Sequence, residues 1–137
     1  LGWGYASKDL IEIIKKMRPP FNLPPGAIAA GIAALGDDAH LKNVVNHNSN
    51  IKSWFIKELN VLGFKAYDTQ ANFVFVTIPE KKNQNASLLN EYLLSKGIAV
   101  RYLKSYGIES GLRITLGKKD ELDLALKIIR EFVNKNE

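Results

Sequence analysis

The chain has 137 residues, a formal charge of +5, 46% apolar and 24% charged residues, and no cysteine. Such a composition describes an ordinary globular domain with a real core rather than a disordered tail, excludes disulfide and thiolate chemistry, and suits a reducing compartment, so a cytoplasmic location is expected. The basic residues are scattered in pairs (Lys15-Lys16, Lys81-Lys82, Lys118-Lys119) and no stretch reaches the roughly 20 apolar residues of a membrane span, so neither nucleic acid nor a membrane is an expected partner.

The opening residues, LGWGYAS, form no signal-peptide pattern. They have the character of a strand over residues 1–6, already under way, and the chain is expected to be part of something longer. Gly2 and Gly4 fall inside that strand and so do not argue for a phosphate-cradling loop. Ser7 suits a helix N-cap, with Asp9 in the first turn, and Leu10, Ile13, Ile14 and Met17 recur at helical spacing. Pro19-Pro20 ends that helix, and PPFNLPPG is a rigid connector. A small-residue helix over 27–35 follows, stopped by Gly36, and its alanines predict close packing against a neighbour. A long helix over 38–62 carries the stripe Leu41, Val44, Val45, Ile51, Phe55, Leu59 and Leu62.

Beyond Gly63 the pattern turns to strands. Residues 64–67 make a short one, DTQA turns the chain, and NFVFVTI over 72–78 is a strong one that Pro79 ends. A helix is predicted over 86–96, a strand over 98–102, a loop through KSYGIESG, a strand over 112–116 and a last helix over 119–133. From Gly36 on the order is α-β-β-α-β-β-α. The expected fold is α+β, with helices layered on a mainly antiparallel or mixed sheet.

The candidate chemistry is sparse. His40 and His47 lie seven apart on one helix without a third ligand, so no metal site is expected and capping or exposed histidines account for them. Asp37, Asp38, Asp120 and Glu121 sit at helix starts, where the dipole favours negative charge. No acid/base pair or nucleophile elbow is present. Two arginines and two asparagines remain. Asn22 sits between proline pairs and Asn72 opens the strongest strand. Alternation puts Arg113 and Thr115 on the face opposite Leu112, Ile114 and Leu116. Arg113 is then either an outward arginine paired with a surface acid or a planar fork for a carboxylate or phosphate, and composition does not decide between them.

Several segments resemble the histidinol-phosphate aminotransferases, in order and at matching distances. They are LGWGYAS, MRPPFN, TQANFVFV, LLSKGIAVRYLKSYGI and LRITLG. LRITLG alone would indicate only the fold-type-I enzymes dependent on pyridoxal 5′-phosphate (PLP). The resemblance covers nearly the whole chain, although Leu23-Pro24-Pro25-Gly26 stands where relatives usually have polar residues. It implies that residues 1–35 are the end of a large PLP-binding domain with its connector, and 36–137 a small C-terminal domain. The full enzyme is a homodimer that moves an amino group between L-histidinol phosphate and 2-oxoglutarate in histidine biosynthesis. The family's PLP-bearing lysine and its pyridinium-pairing aspartate have no match here. The resemblance therefore implies no catalytic residue in this segment, no cofactor bound to it alone, and inactivity without the large domain. It assigns Arg113 to the substrate carboxylate and a share of the phosphate, Arg101 to the phosphate, and Asn22 to the neighbourhood of the active site, while Asn72 is structural. The alternatives are a sister enzyme (an aromatic amino-acid aminotransferase or a threonine-phosphate decarboxylase) and a non-catalytic module that holds a small anion between Arg101 and Arg113.

Overall fold

The computed structural model describes residues 1–135. Its elements are α1 (Lys8–Met17), α2 (Pro25–Leu35), α3 (Asp38–Val61), β1 (Lys65–Tyr67), β2 (Phe73–Thr77), α4 (Ala86–Ser95), β3 (Arg101–Tyr102), β4 (Gly111–Thr115) and α5 (Lys119–Lys135), with a 3₁₀ turn at Lys104–Tyr106. The chain forms two compact units, Leu1–Asn43 and Val44–Glu137, divided inside α3; the last two positions of the second lie outside the described residues.

The second unit is an α+β layer. Its sheet has the order β1-β2-β4-β3, and every pairing is antiparallel. Val74 and Val76 of β2 and Leu112 and Ile114 of β4 point to one face. They join Ile51, Phe55 and Leu59 of α3, Ala86, Leu89 and Leu93 of α4, and Leu122, Leu126, Ile129 and Phe132 of α5 in one buried cluster. The spacing accounts for this: residues four apart on α3 share a face, and residues two apart on a strand do likewise. Local chemistry sets the helix starts. The Asn85 side chain accepts the Leu88 N–H at 2.9 Å, and Asp37 Oδ1 accepts the His40 N–H at 2.9 Å, each satisfying a donor that the helix itself cannot.

The strand expected over 98–102 is shorter than its apolar pattern. The Ile98 N–H bonds back to the Leu93 carbonyl at 2.9 Å, so the end of α4 uses the donor and only Arg101–Tyr102 pair as β3. Phe64 does the same with Leu59, at 3.2 Å, and β1 starts at Lys65. The stripe expected along α3 is buried only from Ile51 onward; Leu41, Val44 and Val45 are exposed.

The first unit departs further from its pattern. Residues 1–6 are not a strand: among the described residues no partner strand offers them a ladder, and extended backbone is a strand only when paired. Ser7 does stand at the N-cap of α1, but only its carbonyl is used, accepting the Ile11 N–H at 3.0 Å. Neither α1 nor α2 has a buried residue, so the close packing expected of the α2 alanines is not made within the described chain.

Gly111 of β4 has little room for a side chain. A Cβ there would stand 2.8 Å from Ile108 Cγ2 and 2.9 Å from Phe75 Cε2. Gly111→Ala is therefore expected to cost about 1–3 kcal/mol. The check is the denaturant midpoint at unchanged slope; an unmoved midpoint would show that Ile108 and Phe75 yield freely.

Candidate anion-binding site

Strand register decides which side chains share the outer face of the sheet. Arg101 is the direct cross-strand partner of Arg113, Arg113 of Phe75, and Phe75 of Tyr67. These four residues make a row across all four strands. The adjacent row is Tyr102, Leu112, Val76 and Ala66, which turns to the helices. The pleat thus puts both arginines on the side away from the core.

Neither guanidinium has a carboxylate partner among the described residues. The pairing with a surface acid that would have made Arg113 unremarkable is not made. Arg113 is part-buried, and its guanidinium carbon lies 4.9 Å from the centroid of the Phe73 ring. Arg101 is exposed; its Nη2 donates to the Tyr106 hydroxyl at 3.1 Å, and its guanidinium carbon lies 5.6 Å from the Tyr106 ring centroid. Aromatic faces thus support both cations without neutralising them, a contact worth about 0.5–1 kcal/mol at exposed sites. Like charges directly opposite one another weaken a sheet. The bidentate geometry of arginine suits a carboxylate or phosphate.

Sequence reasoning found the two arginines but missed Phe73 and Tyr106. Phe73 could have been found from alternation, because NFVFVTI puts Phe73 and Phe75 on the face of Arg113. Tyr106 carried no such signal; it lies in an irregular loop. Asn22 belongs to the first unit, is exposed, and accepts from Arg18 Nη2 at 2.6 Å. The Asn72 carbonyl accepts the Leu116 N–H at 2.8 Å, at the end of the β2–β4 ladder. His47 Nε2 lies 3.0 Å from the Gly117 carbonyl. No group of three His, Asp or Glu side chains among the described residues could hold a metal ion, and no helix is long and apolar enough to cross a membrane.

Residues 1–129 match the family described as aminotransferase class I and II. The histidinol-phosphate aminotransferase of Paramagnetospirillum magneticum is 35% identical over 133 residues, 97% of this chain and 37% of that protein. The crystal structure of histidinol-phosphate aminotransferase from Sinorhizobium meliloti in complex with pyridoxal 5′-phosphate superimposes with a TM-score of 0.80 at 26% identity, over 90% of this chain and 34% of that one. L-threonine-O-3-phosphate decarboxylase from Porphyromonas gingivalis shares the fold, with a TM-score of 0.73 at 21% identity, over 94% of this chain and 40% of that one. The chain thus spans little more than a third of the length of the relatives it matches.

PLP needs an amine that can lose its proton and react. Lys52 is the one described lysine that is not in the exposed class, and its ammonium is committed to the Asp68 carboxylate at 2.8 Å and the Thr69 carbonyl at 2.6 Å. Its work is to tie the turn before β2 to α3.

That tie has a titratable signature. The Lys52 ammonium, and after it the Thr69 N–H, holds the Asp68 carboxyl below its ordinary 3.8. A carboxyl lowered in the folded state adds stability above its unfolded value, near pH 4, and loses it as pH falls through the lowered folded value. Lys52→Met is expected to move the Asp68 titration back toward 3.8, followed by carboxyl ¹³C NMR. An unmoved titration would remove Lys52 as the cause.

Proposed function

The chain belongs to the class I and II aminotransferases, and on that premise we propose that it is the C-terminal segment of an enzyme that moves an amino group between L-histidinol phosphate and 2-oxoglutarate, in histidine biosynthesis. The observation that carries this reading is the cross-strand pair Arg101–Arg113, two guanidinia on one open face with no acid to balance them among the described residues. Histidinol phosphate brings a phosphate and no carboxylate; glutamate and 2-oxoglutarate bring carboxylates and no phosphate. A site that accepts both in turn needs permanent positive charge with adaptable donors, which two arginines supply.

In this reading Arg113 grips the α-carboxylate of glutamate or 2-oxoglutarate through its fork, and shares the phosphate when histidinol phosphate takes that place. Arg101 reaches the phosphate alone. Both act by holding and orienting the substrate, so that its amino group faces the reacting centre; neither moves a proton. PLP, when bound to the complete enzyme, supplies the amino-group chemistry, and the residues that hold it lie in the large domain, outside this chain. Residues 1–35 end that domain and 36–137 form the small one. The exposed apolar stripe of α1 (Leu10, Ile13, Ile14 and Met17) suits such packing. The complete enzyme is a cytoplasmic homodimer, and a chain without cysteine accords with that compartment.

Two outcomes are expected. The chain alone has no transaminase activity, and borohydride treatment with PLP leaves no stoichiometric adduct at a single lysine; such an adduct would contradict the assignment. In the full-length enzyme, Arg113→Ala removes a charge-assisted contact worth about 1.5–3 kcal/mol per hydrogen bond and lowers kcat/KM for both substrates by roughly ten- to a hundredfold or more. Arg101→Ala lowers it more for histidinol phosphate than for glutamate. Lysine at position 113 restores activity only in part, because a point charge does not reproduce the fork. Equal losses on the two substrates in Arg101→Ala would refute the division of labour.

A further inference from the structure

The Arg101–Tyr106 contact is arranged so that the phenol accepts. The guanidinium has only donors, so Nη2 gives its hydrogen to the Tyr106 oxygen at 3.1 Å. The hydroxyl's own hydrogen takes no part in that bond, and the hydroxyl has no other hydrogen-bond partner among the described residues.

The side chain is presented by a tied turn. The Tyr106 N–H bonds the Leu103 carbonyl at 2.9 Å, and the Gly107 N–H bonds the Lys104 carbonyl at 2.9 Å. Gly107 has φ +75°, in the region where a side chain is strained. On one side of the turn Leu103 is buried and its N–H bonds the Gly111 carbonyl at 3.1 Å; on the other, Ile108 crowds Gly111 beside Phe75. The loop is therefore pinned to the sheet at both ends, with the phenol held beside Arg101 and so next to the strand that carries Arg113.

We infer that Tyr106 is a third donor to the anion held by Arg101 and Arg113, and that its hydroxyl makes the site prefer a phosphate monoester to a carboxylate. The inference rests on the anion-site reading above and adds a specificity-determining residue to it. A carboxylate has two oxygens in one plane, and one guanidinium fork occupies both. A phosphate monoester has three terminal oxygens in a tetrahedral array and carries up to two charges. With the Arg113 fork on two of them, the third turns toward the neighbouring strand, where Arg101 and the Tyr106 hydroxyl offer donors. The phenol ring has a separate part, steadying the Arg101 guanidinium from its face.

The test is a titration of the chain with inorganic phosphate and, separately, with glutarate, at constant ionic strength and above the second phosphate pKa. The arginine side-chain N–H signals in NMR report binding. Glutarate matches the charge of the phosphate and differs in shape. Tyr106→Phe keeps the ring and deletes the hydroxyl. It is expected to weaken phosphate binding by roughly three- to tenfold and glutarate by less than about twofold. Equal weakening of both probes, or no weakening of phosphate, overturns the inference. The variant with both Arg101→Gln and Arg113→Gln separates this result from the reading beneath it. If that variant binds phosphate like the parent chain, or if phosphate moves neither arginine signal in the parent, the paired-arginine site itself is wrong. If it loses phosphate while Tyr106→Phe does not weaken it, only the role of Tyr106 falls.

Discussion

The site depends on the pleat of β4. Leu112 and Ile114 are buried under the helices, so Arg113 between them must face the other way. A slip of one residue would turn the guanidinium into a cluster of aliphatic and aromatic side chains and bring both apolar residues to the surface. A buried charge without a partner costs several kcal/mol, and lost burial of the two aliphatic side chains adds about 1.5–3 kcal/mol each. Core packing and the site thus demand the same register. That register also sets Arg101 opposite Arg113 and aligns Phe75 and Tyr67 on the same row.

The charge on that face is left unbalanced. Some cations elsewhere in the unit find acids: Arg130 meets Glu58, Lys119 meets Asp123 at 2.5 Å, and Lys52 meets Asp68 at 2.8 Å, while Lys65 and Lys96 lie over tyrosine rings. The two arginines of the central row have aromatic neighbours instead. A carboxylate beside Arg113 would compete with any anionic ligand for the same fork, whereas a ring supports the guanidinium from its face and leaves its N–H edge free. The arrangement gives up a little sheet stability, and the strongly packed opposite face can carry that loss.

The two units differ in how local pattern and tertiary support combine. α5 has its apolar face buried almost throughout, from Leu122 to Val133. α1 has as clear a stripe, and none of its residues is buried. Amphipathic spacing specifies which face a helix would bury; another element must provide what it is buried against.

Much of the second unit was legible in the sequence, because its cues are local. Gly63 and Gly97 follow helix ends, Pro79 follows β2, and the alternation in NFVFVTI and LRITL assigns faces without knowledge of any neighbour. The face of Arg113 followed from that alternation alone. The resemblance to the histidinol-phosphate aminotransferases rested on residues already singled out on these grounds, and the family match agrees with it. Three things waited for the tertiary structure. The apolar run from Ile98 could not disclose that α4 takes the Ile98 N–H and leaves β3 only two residues. The spacing of twelve between Arg101 and Arg113 could not place them opposite each other, because that depends on how the intervening turn folds back at Leu103 and Gly111. Nor could any sequence pattern report that no acid among the described residues meets Arg113, or that Phe73 and Tyr106 stand beside the two guanidinia. Alternation is a property of one strand and can be read from its residues. Register and partnership belong to pairs of strands, and they exist only once the chain has closed its loops.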